Sequence, residues 1–222
     1  MSVSDKIQRL QKELPATTRL VAVSKFHPVE AIMEAYNAGQ RIFGENRVQE
    51  LCEKVPVCPK DIEWHLIGHL QTNKVKQVVP FVALIQSVDT FNLLKTINKE
   101  GEKIGRIIPC LLQIHVAQEE TKFGFSFDEC REILASEDLK QQKYIRIDGL
   151  MGMASLTDNQ TQIHAEFKSL KTFFDEIKEK YFTDSDSFRE LSMGMSDDYE
   201  IAIEEGSTLV RIGSSIFGPR VY

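Results

Sequence analysis

"RLVAVSKFHPVEAIMEAYNAG" (residues 19–39) contains an apolar, β-compatible run that ends at Lys25, followed by an amphipathic segment. The run over 19–25 predicts a buried strand, because short apolar runs bounded by turn residues are typical of strands. Pro28 at the start and Gly39 at the end of the second segment predict a helix over 28–39, since proline favours the first helical position and glycine favours the position just beyond the last. This stretch is therefore a strand followed by a helix.

The same alternation continues along the chain. Further strands are predicted over 41–46, 63–68, 83–88, 108–116, 144–153, 189–195 and 208–218. Helical patterns cover 89–105, with Asp89 or Thr90 as N-cap, 161–182 and 197–206, and the polar stretch 183–187 is predicted to be a loop. Eight strands that alternate with helices predict an α/β fold, a single (β/α)8 TIM barrel domain over 1–222, with an open doubly wound sheet as the alternative.

The two ends of the chain differ from the regular pattern of eight strands and eight helices. After the eighth predicted strand only four residues, 219–222, follow, and these are too few for an eighth outer helix. An amphipathic pattern at 7–14 predicts an N-terminal helix. We expect this helix to cover the part of the barrel that the missing helix would leave exposed.

The composition is that of an ordinary globular protein, with 42% hydrophobic and 27% charged residues. A formal net charge of -6 argues against nucleic acid or an acidic membrane surface as the main partner. No segment approaches the roughly 18 apolar residues of a membrane span, and the N-terminus lacks a signal-peptide core. Four cysteines without a C-x-x-C pair predict free thiols in a reducing compartment, and we expect a cytoplasmic protein.

Two histidines, His65 and His69, have the i, i+4 spacing of zinc ligands on helices. They lie in "EWHLIGHL", which begins as an alternating, aromatic-bearing strand. Side chains at that spacing in a strand do not share a helical face, so we expect no metal site there.

In (β/α)8 barrels functional groups lie where the strands end, at the C-terminal face, and phosphate groups favour the loops after strands seven and eight. Glycine in such loops lets backbone N–H groups approach a phosphate, and serine hydroxyls donate to it. This rule selects residues at the ends of strands one, two, seven and eight: Lys25, Asn46, Ser192, Gly194, Ser196, Arg211, Gly213 and Ser214.

Closure of the barrel places strand eight beside strand one, so Lys25 is expected roughly 5–10 Å from the Gly/Ser turns. A cofactor with a phosphate at one end and an aldehyde at the other would span that distance. Pyridoxal 5′-phosphate has this shape, and a lysine holds its aldehyde as a Schiff base. Arg211 has the parity of Leu209 and Gly213, which we expect to face inward, and there it could bind the pyridine nitrogen.

Each of these residues also has a structural interpretation. Lys25 at a strand end could be a solvated terminus or an ion-pair partner. Arg211 could pair with a buried carboxylate such as Glu45. Asn46 could be the N-cap of the helix that follows it.

The sequence resembles the pyridoxal-phosphate homeostasis protein family, single-domain relatives of the alanine racemase N-terminal barrel. The resemblance spans nearly the whole chain and rests on "LVAVSK", "AGQRIFGENRVQE", "WHLIGHLQTNK", "DGLMGMA" and "ELSMGMSDDYEIAIEEGSTLVRIGSSIFGPR". It implies that Lys25 forms the Schiff base, that Arg211 faces the pyridine nitrogen, and that Asn46 lies beside the phenolic oxygen. It also implies His65 in the nearby shell, and Ser192, Ser196, Gly213 and Ser214 around the phosphate. Some relatives have threonine at Ser214, which keeps the hydroxyl, and some have proline at His69, whose role the sequence does not explain.

Three functions follow from these residues. Arginine is always charged and opposes protonation of the pyridine nitrogen, so the cofactor is a weaker electron sink than beside a carboxylate. The resemblance implies that racemases of this fold obtain a second base from a β-rich domain, and the sequence ends at Tyr222, directly after the barrel. We therefore expect a non-catalytic carrier of pyridoxal phosphate, monomeric and with at most transient contact with enzymes that use the cofactor. The alternatives are an amino-acid racemase with a base from the barrel and a cofactor-free Schiff-base aldolase.

Overall fold

Eight parallel strands close into a barrel in the order of the chain, and β1 pairs with β8. The computed structural model describes residues 1–117 and 123–218. The closed barrel predicted from the sequence is confirmed, and the open sheet is excluded. The strands are β1 (Arg19–Val23), β2 (Ile42–Glu45), β3 (Glu63–Leu66), β4 (Leu84–Val88), β5 (Ile108–Gln113), β6 (Ile145–Met151), β7 (Glu190–Ser192) and β8 (Leu209–Ile212).

Helices surround the barrel. Their bounds are α1 (Val3–Glu13), α2 (Val29–Asn37), α3 (Val48–Lys54), α4 (Val75–Val78), α5 (Phe91–Lys103), α6 (Phe127–Ala135), α7 (Glu137–Lys140), α8 (Gln160–Tyr181), α9 (Tyr199–Glu204) and α10 (Ser214–Phe217). Polar side chains cap several of them: Ser2 and Asp5 form a capping box at α1, and Thr90 rather than Asp89 caps α5. Among the described residues, none of the helices is both long enough and apolar enough to cross a bilayer.

The N-terminal helix lies between the first outer helix and the short helix that follows β8. Helix α1 packs against α2 on one side and against the short α10 on the other. Its apolar face buries Ile7 and Leu10 completely or nearly so, and Lys6 Nζ donates to the carbonyl of Ile216 at 3.0 Å. The expected covering role of this helix is confirmed.

The side chains divide into two apolar layers because successive residues of a strand point to opposite faces. One layer fills the barrel interior and consists of Val21, Ile42, Leu84, Leu111, Met151 and Leu209. The larger layer lies between the strands and the helices and includes Ala22, Phe43, Val210 and Ile212. Leu209 and Arg211 therefore point inward, as their parity predicts.

All the predicted strands except strand four, which ends at Val88 as predicted, extend further at their C-terminal ends than the observed ones. The largest difference is in strand eight, predicted over 208–218, where β8 ends at Ile212 and residues 214–217 form α10. In this helix Ile216 N–H and Phe217 N–H both donate to Gly213 O, at 2.9 Å, and Ile216 is fully buried. The apolar pattern is the same for a strand end and for a buried helical turn, so the sequence alone does not separate them.

Candidate functional site

A cavity of about 280 Å³ lies at the C-terminal face of the barrel, where Lys25 projects. This volume is close to the lower end, about 300 Å³, of known small-molecule sites. The lining combines charged and polar groups with apolar ones: Val23, Lys25, His27, Asn46, Ile67, Met153, Met195, Ser196, Asp197, Arg211, Gly213, Ser214 and Gly218. Lys25 and the predicted phosphate turn after β8 thus line one cavity.

Lys25 lies two residues beyond β1, in a turn of unusual backbone. Ser24 N–H donates to Gly44 O, and His27 N–H donates back to Ser24 O at 3.1 Å. Between them Phe26 has φ 64°, a positive value for a non-glycine residue, which is costly unless the surroundings hold it. The turn aims Lys25 into the cavity instead of along the strand.

His27 lines the cavity and is not among the residues that the sequence predicts for the site. Its ring stacks on Phe217 with centroids 5.1 Å apart, and the residue is largely buried. Burial, and then the positive charge of Lys54, lower the pKa of His27. A neutral imidazole therefore lies in the same cavity as Lys25 at neutral pH.

Asn46 follows β2 and contributes an unsatisfied acceptor to the cavity. Across the described residues, the buried side-chain polar atoms without a hydrogen-bond partner are Asn46 Oδ1 and Glu45 Oε2. Buried polar atoms are normally hydrogen-bonded, so Asn46 Oδ1 is a place where a ligand donor would be favourable. The expectation that Asn46 caps the next helix is wrong: the N-cap of α3 is Arg47, which makes no side-chain cap bond.

The turn after β7 needs glycine at one position. Gly194 has φ +92°, and a Cβ there would lie 2.5 Å from Ala202 Cβ. Its carbonyl accepts a hydrogen bond from Arg211 N–H at 3.0 Å, which joins the turn to β8. Ser196, two residues later, lines the cavity.

The turn after β8 faces Ser196 and lies against β1. Gly213 N–H donates to Ser196 Oγ at 3.3 Å. A Cβ on Gly213 would lie 3.1 Å from Val23 O, so the absence of a side chain lets this backbone approach β1 closely. Ser214 begins α10, and the N–H groups of a first helical turn have no intrahelical acceptor.

A chain of hydrogen bonds lies below the cavity, inside the barrel. Arg211, 4% exposed, donates to Gly152 O at 2.9 Å and to Ser192 Oγ at 2.5 Å. Ser192 Oγ donates to Gln86 Oε1 at 2.6 Å, and Gln86 Nε2 contacts His65 Nδ1 at 2.9 Å. The guanidinium of Arg211 is therefore held by Ser192 of β7 and by Gly152, which follows β6, and Ser192 is held in turn by Gln86 of β4.

Arg211 fixes which group donates and which accepts in each of these hydrogen bonds. A guanidinium only donates, so Ser192 accepts from it and gives its own proton to Gln86 Oε1. The Gln86 amide then presents its NH₂ group to His65 Nδ1, which must act as an acceptor. His65 is therefore a neutral imidazole with its hydrogen on Nε2.

Burial changes the pKa values of Arg211 and His65, the two residues at the ends of this chain of hydrogen bonds. Desolvation lowers the pKa of His65 to about 3, with a smaller contribution from Arg19. Desolvation also lowers the pKa of Arg211 to about 10, opposed by the negative charge of Asp198. At neutral pH Arg211 is still charged and His65 is neutral, in agreement with the hydrogen-bond directions.

We expect His65 to make folding stability depend on pH. Above pH 6.5 the histidine is neutral in both folded and unfolded chains. Below that pH the unfolded chain binds a proton that the folded chain does not bind until about pH 3, so stability falls as pH falls. At pH 5 the loss is about 2 kcal/mol, from about 1.4 kcal/mol for each pH unit. Urea unfolding of wild type and His65→Gln between pH 7 and 4 measures the difference.

The control for this experiment is His164→Gln, which removes a partly buried histidine of α8 that contacts Glu205 outside the barrel interior. It should keep the wild-type difference in stability between pH 7 and pH 5. A His65→Gln protein as acid-sensitive as wild type would contradict the assignment of this pH dependence to His65.

The structure places most of the predicted site residues on the cavity lining and the others below it. Lys25, Asn46, Ser196, Arg211, Gly213 and Ser214 line the cavity. Ser192 has a different place from the one expected: it is fully buried below the lining, and its hydroxyl is engaged by Arg211 and Gln86. His65 lies deeper still, at the end of the same chain.

Gln86 and Lys54 are not among the residues that the sequence predicts for the site. Gln86 carried a readable signal, since it is a polar side chain within an apolar strand. The alternative that Arg211 pairs with Glu45 is wrong, because Glu45 pairs with Lys54 Nζ at 2.7 Å. His69 and His65 do not share a site: His69 Nδ1 is 2.7 Å from Asp89 Oδ2, and its ring stacks on Phe123.

A parallel barrel with a lysine and two Gly/Ser turns around one cavity at its C-terminal rim is of the alanine racemase N-terminal type. The profile of the family "Alanine racemase, N-terminal domain" matches residues 2–221. The pyridoxal phosphate homeostasis protein of Schizosaccharomyces pombe is 41% identical over 204 residues, 90% of this chain and 84% of that protein.

Solved structures of PipY from Synechococcus elongatus agree with these matches. PipY without pyridoxal phosphate superposes with a TM-score of 0.90 at 37% identity, over 98% of this chain and 100% of that chain. PipY with pyridoxal phosphate bound superposes with a TM-score of 0.87 at 36% identity, over the same shares. The chain belongs to the pyridoxal phosphate homeostasis protein family, as its sequence motifs predict.

Proposed function

We propose that this chain, as one barrel domain over 1–222, binds pyridoxal phosphate reversibly as a Schiff base on Lys25. It would act as a non-catalytic carrier that keeps the free aldehyde low, in intracellular vitamin B6 and amino-acid homeostasis. The observation that carries this proposal is that Lys25 and the Gly213–Ser214 turn line one cavity. Membership of the family and the pyridoxal phosphate in the related PipY structure support it.

The residues of the cavity fit this cofactor. Lys25 supplies the amine, and Ser196, Gly213 and Ser214 supply hydroxyl and backbone N–H donors for the phosphate. The side chain of Asn46 would lie beside the phenolic oxygen, where its Nδ2 donates to an ionised oxygen and its partnerless Oδ1 accepts from a protonated one. Ser192 and His65 lie below the cavity and position Arg211. Ser192 contacts its guanidinium directly, and His65 is linked to it through Gln86 and Ser192.

Arg211 favours holding the cofactor over turnover. Pyridoxal phosphate, when bound, supplies an electron sink that is strongest when its pyridine nitrogen is protonated. Arg211 is buried and charged at neutral pH, and a charged guanidinium repels a proton at the nitrogen it faces. Its two fixed hydrogen bonds, to Ser192 and Gly152, keep it in that position.

The cysteines and the net charge support a cytoplasmic location and a small-molecule ligand. All four cysteines are free, and burial raises the pKa of each, so they behave as unreactive thiols suited to a reducing cytoplasm. The net charge of -6 agrees with a small-molecule ligand and not with nucleic acid. We propose a cytoplasmic monomer.

The test is a titration of the purified protein with pyridoxal phosphate, followed by absorbance before and after borohydride. A Schiff base gives a visible band, which reduction removes while fixing the cofactor on its lysine. We expect peptide mass analysis to place it on Lys25. A protein that shows no band, or that is labelled only on surface lysines, would contradict the proposal.

One observation favours a second candidate, a racemase-like enzyme with a base from the barrel. His27 lines the same cavity as Lys25, and burial lowers its pKa, so it is a neutral base at pH 7. Exchange of the Cα hydrogen of amino acids with D₂O, followed by NMR, separates the two functions. Exchange at more than about 1 s⁻¹, within the range of enzymes, would favour the racemase over the carrier.

A further inference from the structure

A cluster of buried and partly buried charges lies beside the Lys25 turn and has no place in the site described above. It consists of Glu45, the last residue of β2, and of Glu50 and Lys54 on α3. Glu45 is fully buried and Lys54 is 8% exposed. Both carboxylates belong to the "GENRVQE" motif, of which the cavity uses Asn46 alone.

The ammonium of Lys54 joins the three groups. Lys54 Nζ donates to Glu45 Oε1 at 2.7 Å, to Glu50 Oε2 at 3.3 Å and to Ser24 O at 2.9 Å. These contacts use all three ammonium hydrogens. Lys54 is therefore committed to the protein and is not an alternative amine for the cofactor.

The same groups hold the backbone on both sides of Lys25. Before it, Ser24 O accepts from Lys54, and Ser24 Oγ donates to Glu45 Oε1 at 2.6 Å. After it, Phe26 N–H donates to Glu50 Oε2 at 2.8 Å. The positive φ of Phe26 is the strained element of this turn, and its amide is the one that Glu50 binds.

Helix α3 also contacts the side chain of Phe26. The guanidinium carbon of Arg47, the N-cap of α3, lies 4.8 Å from the centre of the Phe26 ring. Three positions of one short segment, Arg47, Glu50 and Lys54, thus contact the turn. The turn cannot change its backbone without breaking contacts with β2 and α3.

Stability alone does not account for these charges. Burial raises the pKa of Glu45, although Lys54 and Ser24 lower it in part, so the carboxylate is costly to keep charged here. Replacing a buried ion pair with apolar residues often leaves a protein equally stable. A group that must hold a reactive side chain in one geometry gains from fixed, directional contacts.

We propose that Glu45, Glu50 and Lys54 are positioning residues that hold the Lys25 turn ready for Schiff-base formation. This inference rests on the proposed function, because it concerns the same lysine. The network contacts Ser24 and Phe26, the neighbours of Lys25, and it acts on the lysine through the backbone.

The test compares Glu50→Gln, Lys54→Met and the double variant Glu45→Gln/Lys54→Met with wild type. Glu190→Gln is the matched control: Glu190 is also a buried carboxylate in an ion pair, with Arg19 at 2.6 Å, but it begins β7 at the opposite end of the barrel. Each protein is measured for Tm, for affinity from the visible band, and for the fraction of Lys25 reduced by borohydride. Amide hydrogen exchange at Phe26 is measured without the cofactor.

We expect Glu50→Gln and Lys54→Met to bind pyridoxal phosphate about tenfold more weakly, and the Phe26 amide to exchange at least about tenfold faster. The double variant removes the fully buried Glu45 charge that Lys54→Met leaves unpaired, and the remaining Glu50 is only partly buried. It should therefore have a higher Tm than Lys54→Met and still bind about tenfold more weakly than wild type. Glu190→Gln should lower the Tm and leave affinity and Phe26 exchange unchanged.

A folded double variant with wild-type affinity and wild-type Phe26 exchange would overturn the positioning role. Equal loss of affinity in Glu190→Gln would also overturn it, since the effect would then follow stability alone. Absence of a Schiff base on Lys25 in wild type would contradict the proposed function instead. In that case the exchange rate at Phe26, measured without cofactor, still decides whether the network holds the turn.

Discussion

Lys25→Ala is expected to lose the visible band of the cofactor-loaded protein completely and to bind pyridoxal phosphate at least about 100-fold more weakly, or by about 2.8 kcal/mol. The loss is large because the proposed covalent bond would be removed, and Lys25 is the one lysine among the described residues that line the cavity. The other cavity donors, Ser196, Gly213 and Ser214, would retain only phosphate contacts. Absorbance titration and equilibrium dialysis measure the two effects separately.

The control for this experiment is Lys99→Ala, which removes an exposed lysine of α5. It should bind and absorb as wild type does. The Tm of Lys25→Ala should stay close to that of the wild-type apoprotein, because Lys25 is only partly buried. If Lys25→Ala keeps the visible band, a different lysine holds the cofactor and the assignment of Lys25 is wrong.

Gly68→Ala is expected to lower the free energy of unfolding by about 3 kcal/mol, at the upper end of overpacking costs, and the Tm by about 6–12 °C. A Cβ at Gly68 would overlap Asn46 O and lie 2.8 Å from Asn46 Cα, and backbone atoms cannot rotate away as a side chain can. The ends of β2 and β3 would separate there, and the bond from Ile67 N–H to Glu45 O, 2.9 Å long, would be broken. Since Asn46 lines the cavity, affinity for pyridoxal phosphate should fall about tenfold as well.

Gly101→Ala separates the effect on the site from the effect on stability. A Cβ at Gly101 would also meet backbone, with Arg106 O at 2.7 Å and Tyr144 O at 2.9 Å, but at the C-terminal part of α5, before β5 begins. It should lower the Tm by a similar amount and leave the affinity unchanged. A Gly68→Ala protein that is destabilised but binds as wild type does would show that the contact with Asn46 does not shape the site.

The fold was predictable because it depends on patterns that repeat locally. An apolar run followed by a capped amphipathic segment identifies a strand and a helix without knowledge of the rest of the chain, and eight such units favour closure. The ends of the elements were less predictable. Residues 214–217 have an apolar pattern that suits either a strand end or a helical turn, and the hydrogen bonds to Gly213 O decide for the helix.

The cavity was predictable to the same extent as the barrel geometry. Parity and closure place Lys25, Arg211 and Gly213 at one rim, because alternate residues of a strand share a face and β8 adjoins β1. The depth of a side chain below the cavity was not predictable from parity and closure. Ser192 is on an inward-facing position, yet it supports Arg211 from below, since the height of each strand in the barrel depends on its register with its neighbours.

The sequence by itself determined the order of strands and helices, the family, and which residue types stand at the strand ends. Only the tertiary structure decided which groups contact the turn around Lys25 and which contact Arg211. Lys54 is 30 residues from Ser24 in the chain and contacts its carbonyl at 2.9 Å, and Gln86 is 106 residues from Ser192 and accepts its hydroxyl hydrogen at 2.6 Å. Such pairs leave no periodic signal, because a hydrogen bond between distant residues depends on the path of the whole chain and on the burial that makes each polar group need a partner.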